Sequence, residues 1–355
     1  MKQKVLAAMS GGVDSSVAAF LLSEQGLEVV GVTMCLGLKD PLDNKTHCCG
    51  MQAIEDAKKV CLKLKIPHYV MDFSEELEQK VIRRFIAEYS EGRTPNPCID
   101  CNRYLKFGIL LNKARAMGFD YIATGHYAKI EKEGEEVFLK IPKDQKKDQT
   151  YFLYQITREN LKYILFPLSD LTKDQVRGIA RKQNLAVADK PQSQDICFVP
   201  EKKYKKFILD RGIHPCPGHI LDLEGNILGK HEGVSFYTIG QRKGLGVSAG
   251  APQYVVRIDA GRNIIILGNK DDLKSKGFIA GDINFFTDNI PEKSFVKIRY
   301  SQTQARCRIS CFADKLFVIF EKRQEAVTPG QAAVFYDNDT VLGGGVIEEV
   351  FNGYN

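Results

Sequence analysis

The segment Ser10-Gly11-Gly12-Val13-Asp14-Ser15-Ser16 constrains this chain more than any other. It stands between a short apolar run, Val5–Met9, and a helical pattern over Ser15–Gln25 that Gly26 ends. Two adjacent glycines let backbone N–H groups turn toward a ligand. The N-terminus of the next helix adds the positive end of its dipole, and both features favour a phosphate. Ser10, Ser15 and Ser16 add hydroxyl donors. Asp14 would repel a phosphate unless a cation stands between them, so it is expected to hold magnesium or to shape the loop. The bland alternative is a strand-to-helix turn with an N-cap serine. Composition, position and the preceding strand together outweigh it.

The first two hundred residues alternate strand and helix patterns. Val29–Met34, His68–Met71 and Tyr121–Thr124 read as strands, and Gln52–Leu64, Glu75–Tyr89 and Lys106–Met117 as helices. Such alternation implies an α/β fold with a parallel sheet, helices on both faces, and sites at the carboxyl ends of strands. Asp40–Cys49 and Glu91–Cys101 are irregular and rich in Pro, Asn and Cys, which makes them candidate active-site loops. Pro142–Thr150 and Lys190–Val199 also read as loops. Lys202–Asp210 looks like a short helix, and from Gly218 onward short alternating segments and turns dominate. Phe278–Val350 suggests a small all-β barrel or sandwich. The 355 residues are expected to form three domains, 1–200, 201–272 and 273–355.

The net charge of +6 permits a nucleic-acid partner without demanding one. No run approaches the roughly 18–20 apolar residues of a membrane span. Met1-Lys2-Gln3-Lys4 leads straight into a strand-like run, with no apolar segment of signal-peptide type. A cytoplasmic protein with reduced cysteines is expected.

Among the ten cysteines, Cys98-Ile99-Asp100-Cys101 forms a C-x-x-C, and Cys197 lies far downstream in Ser193–Phe198. In a reducing compartment this reads as redox, metal or sulfur chemistry. With no second C-x-x-C, a four-thiolate zinc site is poorly supported. Cys48-Cys49 after His47 is read as a loop feature, Cys35, Cys61 and Cys216 as packing residues, and Cys307 and Cys311 as sharing one buried strand face. Lys202-Lys203 with Lys205-Lys206 is read either as a solvated helix face or as a phosphate contact.

The glycine loop is not a Walker loop; it resembles the PP-loop of the ATP pyrophosphatases, which cleave ATP between the α and β phosphates. The resemblance extends essentially end to end to the tRNA-specific 2-thiouridylase family (MnmA/TrmU). Its segments include Ala8–Ser16, Thr94–Asn102, Ala123–Tyr127, Lys147–Leu153, Asp195–Phe198, Tyr237–Gly246 and Thr328–Gln331.

The resemblance implies ATP-dependent 2-thiolation of a wobble uridine in the tRNAs for Lys, Glu and Gln, through adenylation of the 2-carbonyl oxygen. It implies ATP contacts at Ala8, Met9, Ser10, Gly11, Gly12, Val13, Asp14, Ser15, Met34 and Gly125, with Mg2+. Cys197 matches the cysteine that carries a persulfide, and Cys101 the one that helps release sulfur and leaves a Cys101–Cys197 disulfide to be reduced. Asn96, Pro97 and Cys98 match the segment touching the base, and His126, Lys147, Asp148, Gln149, Arg299, Tyr300 and Gln331 match tRNA contacts. The implied partners are tRNA and a sulfur donor, either a cysteine desulfurase or sulfur relay protein or sulfide, and a monomer is expected.

One departure stands out: the family commonly has Asp where this chain has Cys98, a candidate for proton transfer. Asp100 is the candidate replacement, but in an extended loop its side chain would point elsewhere. A second reading is that Cys98, Cys101 and Cys197 hold a 4Fe–4S cluster with one open iron, which binds hydrosulfide. The rival functions are another PP-loop adenylating enzyme, such as a different tRNA thiolase or an amide-forming ligase, and a non-catalytic RNA-binding protein.

Overall fold

The computed structural model describes residues 2–37, 51–191, 196–199, 204–212, 214–247 and 251–351. The loop containing His47, Cys48 and Cys49, the segment Ser193–Asp195 and the pair Lys202-Lys203 lie outside them. The chain divides into two compact units. The first comprises Met1–Val81, Cys98–Phe198 and Asp339–Val341; the second comprises Ile82–Pro97, Val199–Asn338 and Leu342–Asn355.

The first unit is built on β1 (Lys4–Ala8), α1 (Val13–Glu24), β2 (Glu28–Cys35), α2 (Met51–Leu64), β3 (His68–Asp72), β4 (Tyr121–Ala123), β5 (Ile164–Leu165) and α3 (Lys173–Lys182). The strands form a parallel sheet in the order β3-β2-β1-β4-β5. β1 is central and reads Val5, Leu6, Ala7 without polar alternation, because both its faces are covered. Val17 and Leu22 of α1, Val60 of α2 and Val176 of α3 pack with Val5 and Ala7. β1, β2 and β4 are neighbours, so their carboxyl ends open on one edge.

Two expectations in this region are corrected. The helical pattern over Glu75–Tyr89 is not one α-helix: Ser74–Leu77 and Arg83–Ser90 are α-helical, and Glu78–Ile82 between them is a π-turn. The stretch read as irregular up to Cys101 is already helical from Pro97, and Cys101–Leu110 continues as a π-helix before Leu111–Ala116 returns to α geometry. Proline suits a first helical position because its missing N–H is not needed there.

In the second unit Phe85, Tyr89 and Tyr204 form an aromatic cluster with centroids 4.9 Å (Phe85–Tyr89) and 4.8 Å (Tyr89–Tyr204) apart. A four-stranded sheet follows from β6 (Gly218–Leu221), β7 (Ile227–His231), β8 (Tyr254–Asp259) and β9 (Ile264–Gly268), in the order β8-β9-β6-β7. The final strands are β10 (Lys274–Phe285), β11 (Lys293–Lys297), β12 (Ala305–Phe312), β13 (Lys315–Glu325), β14 (Ala332–Asp337) and β15 (Thr340–Phe351). They run in the order β10-β13-β12-β11-β14-β15, and β10 also pairs with β15. The barrel is therefore closed and leaves no edge strand. Alternation on β13 sends Leu316, Val318 and Phe320 inward to join Phe278, Val296 and Phe335.

Three cysteine expectations change. Cys307 is buried in the barrel while Cys311, four pairs nearer the β12–β13 turn, is exposed, because the strand outruns the covered face there. Cys216 is exposed, and Cys35 is disulfide-bonded rather than simply packed. Burial pushes the Cys61 thiol up to about 11 and the Cys307 thiol up to about 12, as suits inert core residues.

Candidate active site

The chain leaves β1 at Ala8, buries Met9, and turns at Gly11 with a φ of 66°. Gly12 is the N-cap of α1, and no side chain caps it. The serines brace the turn instead. The Ser10 N–H donates to Ser15 Oγ at 3.2 Å, and the Ser15 and Ser16 hydroxyls donate to the Gly12 carbonyl at 3.2 and 2.8 Å. This differs from a serine N-cap. The first N–H groups of α1 are left without a side-chain acceptor, which is the arrangement an anion requires.

Met34 lies near the end of β2 and Gly125 lies two residues past β4, on either side of the loop at the end of β1. Gly125 passes so close beneath α1 that a Cβ there would lie 2.6 Å from both Asp14 C and Ser15 N. Any larger residue would push the loop away. The structure thus gathers the residues expected at ATP, Ala8–Ser15, Met34 and Gly125, on one sheet edge.

Asp14 is engaged from two distant segments. Lys173, the first residue of α3, approaches both its carboxylate oxygens at 2.7 Å, and the Tyr127 hydroxyl donates to Oδ1 at 2.9 Å. These contacts tie the Asp14 carboxylate into the loop and set it against a cation, the Lys173 ammonium. Lys190 reaches the same loop, donating to the Gly11 carbonyl at 2.9 Å and to Asp56 Oδ2 at 2.8 Å. Sequence reasoning missed both lysines. Lys173 carries only the signal of a helix start, a capping box between Thr172 and Gln175.

Cys98, Cys101 and Cys197 all lie in the first unit as thiols outside any disulfide; Cys98 and Cys197 are exposed and Cys101 is half-buried. Crowding pushes the Cys98 and Cys101 thiols above their ordinary range, the Lys106 ammonium pulls both down, and Asp100 pushes Cys101 further up. Cys98 reaches the surface, so water relieves part of its push. Lys106, another residue the sequence reading passed over, also donates to Asn102 Oδ1 at 2.9 Å. A π-turn bonds residues five apart, so Lys106 comes round one turn after Cys101. Asp100 is buried in this helical start, so the extended loop in which its side chain would point elsewhere does not form.

Among the described residues, no three His, Cys, Asp or Glu side chains converge as a group able to hold a metal. Cys98 and Cys101 sit on one helical turn and Cys197 on a separate turn.

The residues expected at tRNA fall in both units. In the first, Asp148 is buried and accepts the Thr150 N–H at 2.9 Å and its hydroxyl at 2.6 Å, while Gln149 Oε1 accepts the Tyr127 N–H at 2.9 Å. Lys147 is half-buried. His126 pairs Nδ1 with Thr124 Oγ1 at 2.7 Å beside Phe107 and Phe166, and burial followed by Lys106 holds its pKa well below the usual imidazole range, so it is neutral. In the second unit Arg299 donates to the Ile239 carbonyl at 3.1 Å and Thr328 Oγ1 at 2.7 Å. Gln331 donates to the Thr94 carbonyl at 2.7 Å, Asn96 and Pro97 lie a few residues on, and Tyr300 is exposed.

Three domain families match the chain: a tRNA methyl transferase HUP domain over residues 3–201, a tRNA methyl transferase PRC-barrel domain over 205–269, and an aminomethyltransferase beta-barrel domain over 275–347. Full-length relatives are more specific. The tRNA-specific 2-thiouridylase MnmA 1 of Syntrophus aciditrophicus is 55% identical over 352 residues, covering 99% of this chain and 94% of the relative. The corresponding proteins of Acetivibrio thermocellus and Clostridium botulinum (strain Alaska E43 / Type E3) are 50% and 48% identical, each over 98% of this chain and 99% of the relative. The chain belongs to the tRNA-specific 2-thiouridylase family. The family uses ATP, and the HUP-domain match covers most of the parallel-sheet unit described above. Among the described residues, no helix is long and apolar enough to cross a membrane.

Proposed function

We propose that this member of the 2-thiouridylase family converts the wobble uridine of tRNA to 2-thiouridine, with ATP and Mg2+, using Cys197 and Cys101 as its sulfur-handling pair. The observation that carries the reading is the uncapped N-terminus of α1 under Ser10–Gly12, in the same compact unit as two reduced thiols on separate turns. The 2-carbonyl oxygen attacks the α phosphate, and pyrophosphate leaves toward the helix N-terminus, whose N–H groups stabilise its charge. The terminal sulfur of a Cys197 persulfide then attacks C2, and AMP departs with the original oxygen. The Cys101 thiolate attacks Cys197 Sγ, breaking the S–S bond and leaving sulfur on the base. The resulting Cys101–Cys197 disulfide takes two electrons from an external thiol reductant. Dividing one hard displacement in this way is ordinary covalent catalysis.

Asn96, Pro97, Cys98, His126, Lys147, Asp148, Gln149, Arg299, Tyr300 and Gln331 are the tRNA contacts in this proposal, with the tRNAs for Lys, Glu and Gln as substrates. Domains 1–200, 201–272 and 273–355 divide the work as catalytic, linking and barrel parts of a cytoplasmic monomer. A cysteine desulfurase, a sulfur relay protein or sulfide supplies the sulfur. Binding should weaken with salt, since tRNA phosphates are neutralised.

An anaerobic assay tests this: metal-free protein, unmodified tRNA, ATP, Mg2+ and a persulfide donor, with nucleosides read by mass spectrometry. 2-Thiouridine is expected, and Cys197→Ala should abolish it. Product formed only after iron reconstitution would overturn the persulfide route. ATP cleavage without 2-thiouridine would overturn the substrate.

A further inference from the structure

We infer that Lys173 is a positioning residue of the nucleotide loop: it is the built-in counter-ion of Asp14, and without it the loop repels the phosphates it is shaped to accept. The inference rests on reading that loop as the ATP site.

Asp14 is the second residue of α1, in the first turn where a phosphate is favoured by the helix dipole and free N–H groups. A bare carboxylate there would compete with any phosphate for the same donors and would repel it. Lys173 removes that conflict. Its Nζ lies 2.7 Å from each carboxylate oxygen, and the two side chains are only 11% and 23% exposed. Water screens this pair far less than an exposed surface pair.

The geometry of the ammonium is set before any ligand arrives. Lys173 opens α3, whose start is fixed by the Thr172–Gln175 capping box and by the Lys173 N–H donating to Asp144 Oδ2 at 2.9 Å. Its ammonium stands 5.9 Å from the centre of the Tyr127 ring, and the Tyr127 hydroxyl donates 2.9 Å to Asp14 Oδ1. Gly125, two residues before Tyr127, passes directly against the Asp14 backbone. The carboxylate is thus gripped by residues 113 and 159 positions away in the chain.

A buried ion pair is weak evidence for stability by itself, because a well-packed apolar pair often serves as well. Breaking one partner is different, since it leaves an uncompensated charge in place. Here that charge would stand inside an anion site. Lys173 therefore acts through Asp14 on the phosphates, without having to touch them.

The experiment compares binding of ATP with Mg2+ and of adenosine, at fixed ionic strength, by calorimetry. The proteins are the unsubstituted chain, Lys173→Met, Lys173→Arg and the double variant Asp14→Asn/Lys173→Met, with thermal unfolding run alongside. Lys173→Met should weaken ATP binding tenfold or more and leave adenosine within about twofold. Lys173→Arg should keep ATP binding within about threefold, because the guanidinium retains the charge. The double variant should recover ATP binding to within about threefold, because the repelling charge is gone. An unchanged ATP affinity in Lys173→Met overturns the inference. So does an equal loss for adenosine, which marks a merely structural role, or a double variant as weak as the single, which marks direct phosphate contact. Should Lys173→Met fail to fold, the double variant decides alone: a tenfold loss of ATP affinity in it overturns the inference. Failure of the unsubstituted chain to bind ATP overturns the reading of the loop itself, whereas ATP binding insensitive to Lys173 overturns the counter-ion role alone.

Discussion

Lys190 donates from Nζ to the Gly11 carbonyl at 2.9 Å and to Asp56 Oδ2 at 2.8 Å, tying the glycine turn to α2. The hydrogen bond from Lys190 is also the main reason that the Asp56 carboxyl is held below its usual range. Lys190→Met removes both anchors from the turn. The Lys190 side chain is 36% exposed, so screening limits its contribution to about 1 kcal/mol. The expected outcome is a rise of about fivefold in KM for ATP with little change in kcat. Steady-state pyrophosphate release checks it; an unchanged KM shows that the tie is idle.

Thiol chemistry here should favour alkaline conditions. Burial is the main cause raising the Cys101 pKa above the ordinary value of 9.0; Lys106 opposes the rise and Asp100 adds to it. The reactive form is the thiolate, so alkylation of Cys101 and transfer of sulfur should both climb as pH rises through that raised pKa. Lys106→Met removes the opposing cation and should move the climb to still higher pH, while Lys106→Arg should leave it near its original place. The pH profile of iodoacetamide labelling at Cys101, followed by peptide mass spectrometry, reads this directly. Identical profiles for the Met and Arg variants would show that Lys106 does not act on the thiol.

Gly108 makes the π-helix sterically possible. A Cβ at this position would lie 2.8 Å from the Arg103 carbonyl, five residues earlier. Gly108→Ala should therefore cost about 1–3 kcal/mol as an overpacked contact. In an ordinary exposed α-helix the same change would stabilise by up to about 1 kcal/mol. Urea unfolding decides between the two signs, and the labelling rate of Cys101 should change in the same variant because its turn is displaced.

Cys98 is exposed at the second position of the helix that starts at Pro97. An aspartate there meets a favourable helix N-terminus. Cys98→Asp should retain thiolation within a few-fold and change stability by less than about 0.5 kcal/mol. Loss of 2-thiouridine in the mass-spectrometric assay would show that this thiol has a role of its own.

What the sequence determined by itself is what depends on neighbours along the chain. The apolar run before Ser10, the paired glycines and the helical pattern after them define the nucleotide turn, because strand burial, backbone freedom and helix start are local properties. Period-two alternation, as on Leu316–Phe320, likewise marks the barrel strands. Closure of that barrel by β10 and β15 was beyond it, since nothing in either strand names its partner. The tertiary structure alone decided that Asp14 faces Lys173 across 159 positions and that Lys190 grips Gly11 across 179. A lysine at the start of an amphipathic helix has no local mark of the carboxylate it will meet. The π register after Cys101 escaped for a related reason. Its apolar spacing is close to that of an α-helix, and the choice rests on one extra residue per turn, set by how Leu105, Phe107 and Leu110 are buried in the packed first unit.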